Sequence, residues 1–219
     1  GRPLVFKDTA DNAKAILYTW WLGTEAGNAI SDVLFGDYNP SGKLPMTFPR
    51  SEGQIPVYYN YFNTGRPAKN ETDLNYVSAY IDLPNSPKYP FGFGLSYTTF
   101  NYAWAQQPGK INSLKDTLTF SVSVKNTGAM DGDEVAQVYI QYPNLDRMPF
   151  KELKSFKRVF VEKGNSKAIQ FKIPLQELQK WDLQDHQWKI YPGDYSILIG
   201  SSSQDIKLKS TVTIQPGIK

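Results

Sequence analysis

Residues 118–126 read "LTFSVSVKN". Leu118, Phe120, Val122 and Val124 alternate with Thr119, Ser121, Ser123 and Lys125. That period of two sends one face of a strand to a core and the other to water. "TG" (127–128) then makes a turn. After the turn residues "DGD", "EVAQVYIQY" (134–142) resumes an extended pattern. "LKSFKRVFVEKGN" (153–165) carries Leu153, Phe156, Val159 and Val161 toward a Gly-Asn turn. "KAIQFKIP" (167–174), "YSILIGSSS" (195–203) and "IKLKSTVTI" (206–214) continue the pattern. Six or seven short strands over roughly a hundred residues predict an antiparallel β-sandwich. "LQELQKWD" (175–182) reads as a helical turn or a connecting loop.

Upstream the pattern differs. "RPLVF" (2–6) and "AKAILYTWW" (13–21) are unbroken apolar runs, suited to parallel strands covered on both faces. "LGTEAGNAISDVLFGDYNPSG" (22–42) follows, with Ala26, Ala29, Ile30, Val33 and Leu34 at helical spacing. Thr24 or Gly23 can cap this helix, and Glu25 in its first turn suits the helix dipole. Gly36 is the expected left-handed C-terminal cap, and Pro40 bars further helix. The first hundred residues thus read as part of an α/β layer. Residues 45–90 lack periodicity yet are dense in aromatics, which predicts ordered irregular structure wrapped on a surface.

The chain has 219 residues, 40% apolar and 21% charged, with 14 Tyr, 12 Phe and 5 Trp. A net charge of +3 with no long basic run argues against a nucleic-acid partner. The absence of cysteine excludes disulfides, thiolate catalysis and Cys-ligated zinc. No apolar run approaches a membrane span of ~20 residues. "GRPLVFKDTADN" lacks the features of a signal peptide and an initiator Met, so it reads as an interior point of something longer.

Between the two patterns lies "KYPFGFGLSYTTF" (88–100). Gly92-Phe93-Gly94 opens like a dinucleotide fingerprint, but Tyr97 stands where the third glycine belongs and no helix follows. Gly94-Leu95-Ser96-Tyr97-Thr98 imitates a nucleophile elbow without its closing glycine. The single histidine, His186, reads as an exposed or satisfied loop residue, which leaves a Ser-His-Asp set without support. "NPSGKL" (39–44) is no phosphate loop, since Asp37 replaces its first glycine and Leu44 its Ser/Thr. "DGDE" (131–134) is too short for a calcium loop and reads as a solvated turn. No motif implies a cofactor or a metal. Asp8, Asp11, Glu25, Asp32, Asp37, Glu52 and Asp82 all lie in the first half. Two of them ~5 Å apart could run retaining glycoside hydrolysis, but sequence cannot pair them. "NET" places an N-glycosylation acceptor at Asn70. Tyr58, Tyr59, Tyr61, Phe62, Tyr76 and Tyr80 either stack on sugar rings or, more plainly, glue a long loop to a sheet.

Several stretches carry a resemblance. "TWWLGTEAGNAISDVLFGDYNPSGKLPMTFPRSEGQIPVYYNY", then "TGRP", then "YPFGFGLSYTTF" resemble the C-terminal part of family 3 glycoside hydrolases, the β-glucosidases and β-xylosidases. The spacing through "SAYID" looks closest to the periplasmic bacterial β-glucosidase branch. "NTGAMDGDEVAQVYI", "LKSFKRVFVEKG" and "YPGDYSILIGSSS" resemble the fibronectin type III-like domain that ends many of these enzymes. One departure is Leu22-Gly23 where the family often has Pro-Gly; the glycine is kept.

The resemblance implies an α/β fold followed by an all-β one. Residues 1–100 would be the C-terminal portion of an α/β sandwich domain, and 101–219 a fibronectin type III-like β-sandwich. A (β/α)8 barrel carrying the nucleophilic Asp would lie upstream, with the acid/base Glu just before "GRPL". No catalytic carboxylate is then expected in this chain. The fragment would wall the cleft that receives a β-glucoside or oligosaccharide and buttress the enzyme. Tyr59, Asn60, Arg66 and Tyr80 would lie near substrate, and Gly92, Gly94 and Tyr97 would form a structural hinge. A periplasmic or secreted location is implied. A non-catalytic carbohydrate-binding module and a domain-interface role, homodimer contact included, are the alternatives.

Overall fold

A computed structural model describes residues 1–62, 64–73, 75–145 and 148–218. Among the described residues every strand lies from Phe100 onward. β1 (Phe100–Gln106), β2 (Thr117–Asn126) and β5 (Ser166–Pro174) form one antiparallel sheet in the order β1-β2-β5. β3 (Gly132–Gln141), β4 (Glu152–Val161), β8 (Gly193–Gly200) and β9 (Ile206–Ile214) form the other, in the order β4-β3-β8-β9. A third, two-stranded ribbon is made by β6 (Lys180–Asp182) and β7 (Gln187–Lys189). A turn of 3-10 helix over Leu175–Leu178 precedes it.

The alternation in 118–126 does what it predicts: Leu118, Phe120, Val122 and Val124 are buried. They meet Ala136, Val138 and Ile140 of β3, Ile169, Phe171 and Ile173 of β5, and Tyr195, Ile197 and Ile199 of β8 in one core. Phe120 sits between Trp104 (5.9 Å, edge-on) and Phe171 (5.6 Å, stacked). β4 breaks simple alternation because the register shifts opposite Val138/Tyr139. Such a bulge inserts one residue and re-aims the side chains beyond it. Leu153 then pairs with Tyr139 and Phe156 with Gln137, on the outer face, while Val159 and Val161 pair with inward-facing positions.

Asn126 locks the mouth of this sandwich. Its side chain is fully buried. The amide donates to Met130 O (2.8 Å) and Val161 O (2.9 Å) and accepts from Thr98 Oγ1 (2.6 Å) and Gly128 N (3.1 Å). Asn126→Ala strands these partners without water, and a buried polar group left unpaired costs ~1–3 kcal/mol. The expected loss is about 2 kcal/mol, read as a fall in the urea midpoint with an unchanged slope.

Among the described residues the first half contains two α-helices, α1 (Asp8–Asn12) and α2 (Ala26–Phe35), and a turn of 3-10 helix over Glu52–Gln54. α2 ends at Gly36, which is left-handed (φ 87°) as its sequence predicts. Its start differs from expectation. Glu25 occupies the cap position without a side-chain cap bond, and its carboxylate instead accepts from Asn28 Nδ2 (2.6 Å). The runs at 2–6 and 13–21 form no strand, and Trp20 within the second is left-handed (φ 54°). A parallel strand needs neighbours for its backbone groups, and among the described residues none runs alongside. Rings replace the missing ladder: Phe48 is buried among Phe6, Tyr18, Trp20 and Tyr89, at centroid distances of 5.4–6.5 Å.

Residues 45–90 are ordered by polar staples. Gln54 is fully buried, accepting from Arg50 N (2.6 Å) and donating to Pro84 O (3.0 Å). Arg50 Nε donates to Ser86 O (2.8 Å).

Candidate functional site

The outer face of β3 is where the two halves meet. Gln137 and Tyr139 lie there, both buried. The Gln137 amide donates to Gly92 O (3.0 Å) and Ser201 O (2.6 Å), and accepts from Tyr139 OH (2.5 Å). Ser203 N donates to Phe91 O (2.9 Å). The chain passes this close because Gly92 and Gly94 carry no Cβ. A Cβ on Gly92 would stand 2.0 Å from Gln137 Oε1, and one on Gly94 2.0 Å from Gly42 O. Gly92 is also left-handed (φ 79°).

Side chains from "DYNPSGKL" complete the join. Asn39 Nδ2 donates to Asp131 O (2.8 Å), and its Oδ1 accepts from Ser96 Oγ and Tyr97 N (2.8 Å each). Tyr97 OH donates to Val33 O (2.6 Å), satisfying a carbonyl in the last turn of α2. Lys43 pairs with the buried Glu134 (3.3 Å) and donates to Gly94 O (2.9 Å). Arg158 bridges Tyr38 OH and Asp133 (2.7 Å each).

The loop that follows is laid on the same sheet. Tyr59 stacks on Phe91 (4.3 Å), meets Tyr139 edge-on (5.8 Å), and accepts a bond from Leu153 N (3.1 Å). Burial raises the Tyr59 pKa, opposed by that bond. Tyr61 stacks on Phe150 (5.5 Å) and accepts Phe150 N at its carbonyl (2.8 Å). Beneath them Lys151 donates to Ser203 O, and burial lowers its pKa to about 8.

Of the residues proposed near substrate, Tyr59 and the half-buried Asn60 stand at this root. Tyr80 donates to Gln54 O (3.3 Å) further along the loop. Arg66 is exposed, its carbonyl accepting from Ser78 N (2.7 Å) beside a Pro67–Ser78 bridge. No hydrogen bond or ring contact joins these four to one another among the described residues. Tyr58 and Tyr76 point to solvent. His186 occupies an exposed, left-handed turn position between β6 and β7 (φ 48°). Asn70 is exposed and caps its own turn by accepting from Thr72 N (3.0 Å).

The seven acids considered above are all exposed, as is Glu71, while Asp73 is half-buried. Glu134, Glu152 and Asp133 of the sandwich are committed to cations. Among the described residues no three His, Asp or Glu converge as a metal site. This arrangement can bind, orient and exclude water; among the described residues it brings no two of the first-half acids together in a buried site. Asn39, Lys43 and Gln137 escape sequence reasoning, since each becomes informative only once residues some 45 to 90 positions away are brought beside it.

Glu152, beside the root of the loop, gives a measurable pH effect. Burial pushes its carboxyl up, but bonds from Lys180 (2.5 Å), Lys154 (2.9 Å) and Tyr142 OH (2.7 Å) outweigh it and hold the pKa at about 2. A depressed folded pKa contributes stability above the unfolded value, lost as pH falls from there through about 2. The part of the stability removed by Glu152→Gln should be about 2 kcal/mol at pH 6 after screening, and vanish toward pH 2. Urea titrations of both proteins at the two pH values measure it.

Comparison with known proteins agrees with this two-part architecture. Residues 1–97 match the glycosyl hydrolase family 3 C-terminal domain, and 134–203 the fibronectin type III-like domain. The chain is 46% identical over 209 residues to the periplasmic β-glucosidase of Salmonella typhimurium, covering 94% of this chain and 27% of that protein. It is 39% identical to a β-xylosidase of Formosa agariphila, covering 96% and 28%. The crystal structure of a β-glucosidase from Listeria innocua superposes with a TM-score of 0.92 at 38% identity, covering 100% of this chain and 30% of that one. The chain thus spans 27–30% of the length of these relatives. Its first half is the C-terminal portion of an α/β sandwich domain and its second an antiparallel fibronectin type III-like sandwich, and the chain belongs to glycoside hydrolase family 3.

Proposed function

We propose that this chain works as the C-terminal part of a retaining β-glucosidase-type hydrolase that removes terminal β-D-glucosyl or related residues. The boundary between its two domains lies at residue 100. The nucleophilic Asp and acid/base Glu come from elsewhere in the enzyme. This chain supplies the cleft wall and its buttress, with no cofactor. Tyr59 and Asn60 set the root of the 54–82 loop at the cleft mouth, and Arg66 and Tyr80 present groups to the sugar. Gly92, Gly94 and Tyr97 form the hinge between domains. An exported, periplasmic location fits the resemblance to the Salmonella protein.

The observation that carries the reading is the pairing of a clamped seam with an uncovered apolar surface. Trp21, Leu34, Phe35 and Ile81 are exposed on the first half, whereas its contacts with the sandwich are closed. Contiguous exposed apolar surface marks an interaction site, and a (β/α)8 barrel domain is the partner that the reading supplies for these side chains. An assay of the purified 219-residue chain on an aryl β-glucoside tests it. No turnover is expected from the chain alone. Turnover at rates proportional to the pure chain overturns the reading.

A further inference from the structure

The ribbon β6–β7 is inside out. Cross-strand pairs are Lys180–Lys189, Trp181–Trp188 and Asp182–Gln187, so both tryptophans share one face and the charged residues the other. Ribbons of water-soluble proteins normally turn charge to solvent and rings to the core. Here Asp182 is only 14% exposed and Lys180 20%, while Trp181 is 47% and Trp188 61% exposed. The polar face is the anchor: Lys180 binds Glu152 (2.5 Å), Asp182 accepts from Tyr191 OH (2.6 Å), and Lys189 lies 3.5 Å from Asp182. Asp182 also accepts Gln184 N (3.0 Å) and Asp185 N (2.8 Å), fixing the turn. The indoles meet edge to face at 5.7 Å, which leaves broad ring surface in water.

Trp188 also borders a cleft of about 320 Å³, lined with Leu114, Lys115, Gln176, Gln179 and Gln187. That volume is at the lower end of small-molecule sites, ~300–1,000 Å³. The lining has three amides and no carboxylate. Lys189 is neutralised by Asp182 and Asp185. Gln179 and Gln187 make no side-chain hydrogen bond to another described residue. An amide both donates and accepts, which suits a hydroxyl. An indole face suits the C–H face of a ring, where Trp buries large area at low entropy cost.

We propose that the ribbon and cleft form a binding site for a neutral oligosaccharide, one pyranose lying on the Trp188 indole and its hydroxyls meeting Gln179 and Gln187. The site stands on the fibronectin-like domain and is separate from the 54–82 loop residues assigned above.

Nuclear magnetic resonance of the ¹⁵N-labelled 219-residue chain tests this with cellotetraose, laminaritetraose, xylotetraose and maltotetraose. The expected result is saturable movement of the Trp181 and Trp188 indole N–H signals with at least one of them. Trp188→Ala and Gln179→Ala should each weaken that binding about tenfold. Gln179 lies outside the ribbon, so its variant reports on binding even if Trp188→Ala loosens the ribbon. Trp188→Phe should restore most of the affinity. Indole signals that move with none of the four sugars overturn the proposal, as does binding unchanged in both variants. So does a concentration-dependent dimer in sedimentation that Trp188→Ala abolishes, which makes the face a self-association surface. The two indole signals are read independently of whether the 54–82 loop borders substrate, so this test and the functional reading fail separately.

Discussion

Gly94→Val should destabilise the chain by about 4 kcal/mol and split its thermal unfolding in two. The new Cβ would stand 2.0 Å from Gly42 O, a backbone atom. Relief requires the two segments to separate, yet they are tied. Leu44 N donates to Phe93 O and Gly92 N to Leu44 O, both at 2.8 Å. Lys43 donates to Gly94 O (2.9 Å) with its Cδ only 3.1 Å from the added carbon. Overpacking a well-packed site costs ~1–3 kcal/mol. Here the displaced Lys43 adds the cost of a buried carboxylate losing its partner. The sandwich core takes no part in this clash, so its own transition should stay near that of the parent. The first half, with one aromatic cluster around Phe48, should melt early. Scanning calorimetry measures both transitions; a single one at the parent temperature refutes the steric account. Gly94→Ala should show most of the effect, since the offending atom is already the Cβ.

What could be read in the sequence follows the range of the forces involved. The sandwich was legible because alternation is local: Phe120, Val122 and Val124 announce their shared face within five residues. Gly36 was legible for the same reason, since a left-handed residue after a helical stripe needs no distant partner. The exceptions in the sandwich are also local. Leu153 breaks parity, joining Phe156 on the outer face, because of a bulge whose position is set by the partner strand, which sequence does not display. The first half was less legible. Residues 2–6 and 13–21 have strand composition, but a ladder depends on neighbours along both edges, and rings around Phe48 hold these runs instead. The loop aromatics divided by placement. Tyr59 and Tyr61 glue the loop to the sheet, whereas Tyr58 and Tyr76 remain open. "KYPFGFGLSYTTF" showed that glycines were needed, but not that Gln137, Asn39 and Lys43 would be what they make room for. The ribbon was missed because its charged face is the buried one, the reverse of what a pattern of polarity suggests.

The pair Lys43–Glu134 should give the other large effect. Both side chains are nearly excluded from water, Glu134 at 5% exposure. Glu134 lies on β3 among inward-facing positions near Tyr102. Burial, then the Glu134 charge, pushes the Tyr102 hydroxyl far up, so it stays neutral. Lys43 is therefore the charge that offsets Glu134, and it comes from the other half of the chain. Lys43→Met keeps the stem and removes the ammonium. Breaking a buried pair from one side costs ~3–5 kcal/mol, and Gly94 O loses its donor as well. The expected loss is about 4 kcal/mol. Glu134→Leu should cost less, about 1–2 kcal/mol, because Lys43 keeps its bond to Gly94 O and has a stem long enough to turn its head toward water. The double variant should recover most of the Lys43→Met loss, since replacing both charges by apolar groups is often near neutral. Urea unfolding of the four proteins closes the cycle and gives the coupling directly. Additive losses would mean that the two charges do not sense each other, and that the seam is held by Gln137 and Asn39 alone. A coupling near the full Lys43→Met loss would mean that the pair sets the register of the two domains and does not simply add stability, because neutralising both charges leaves the join nearly as strong but no longer keyed.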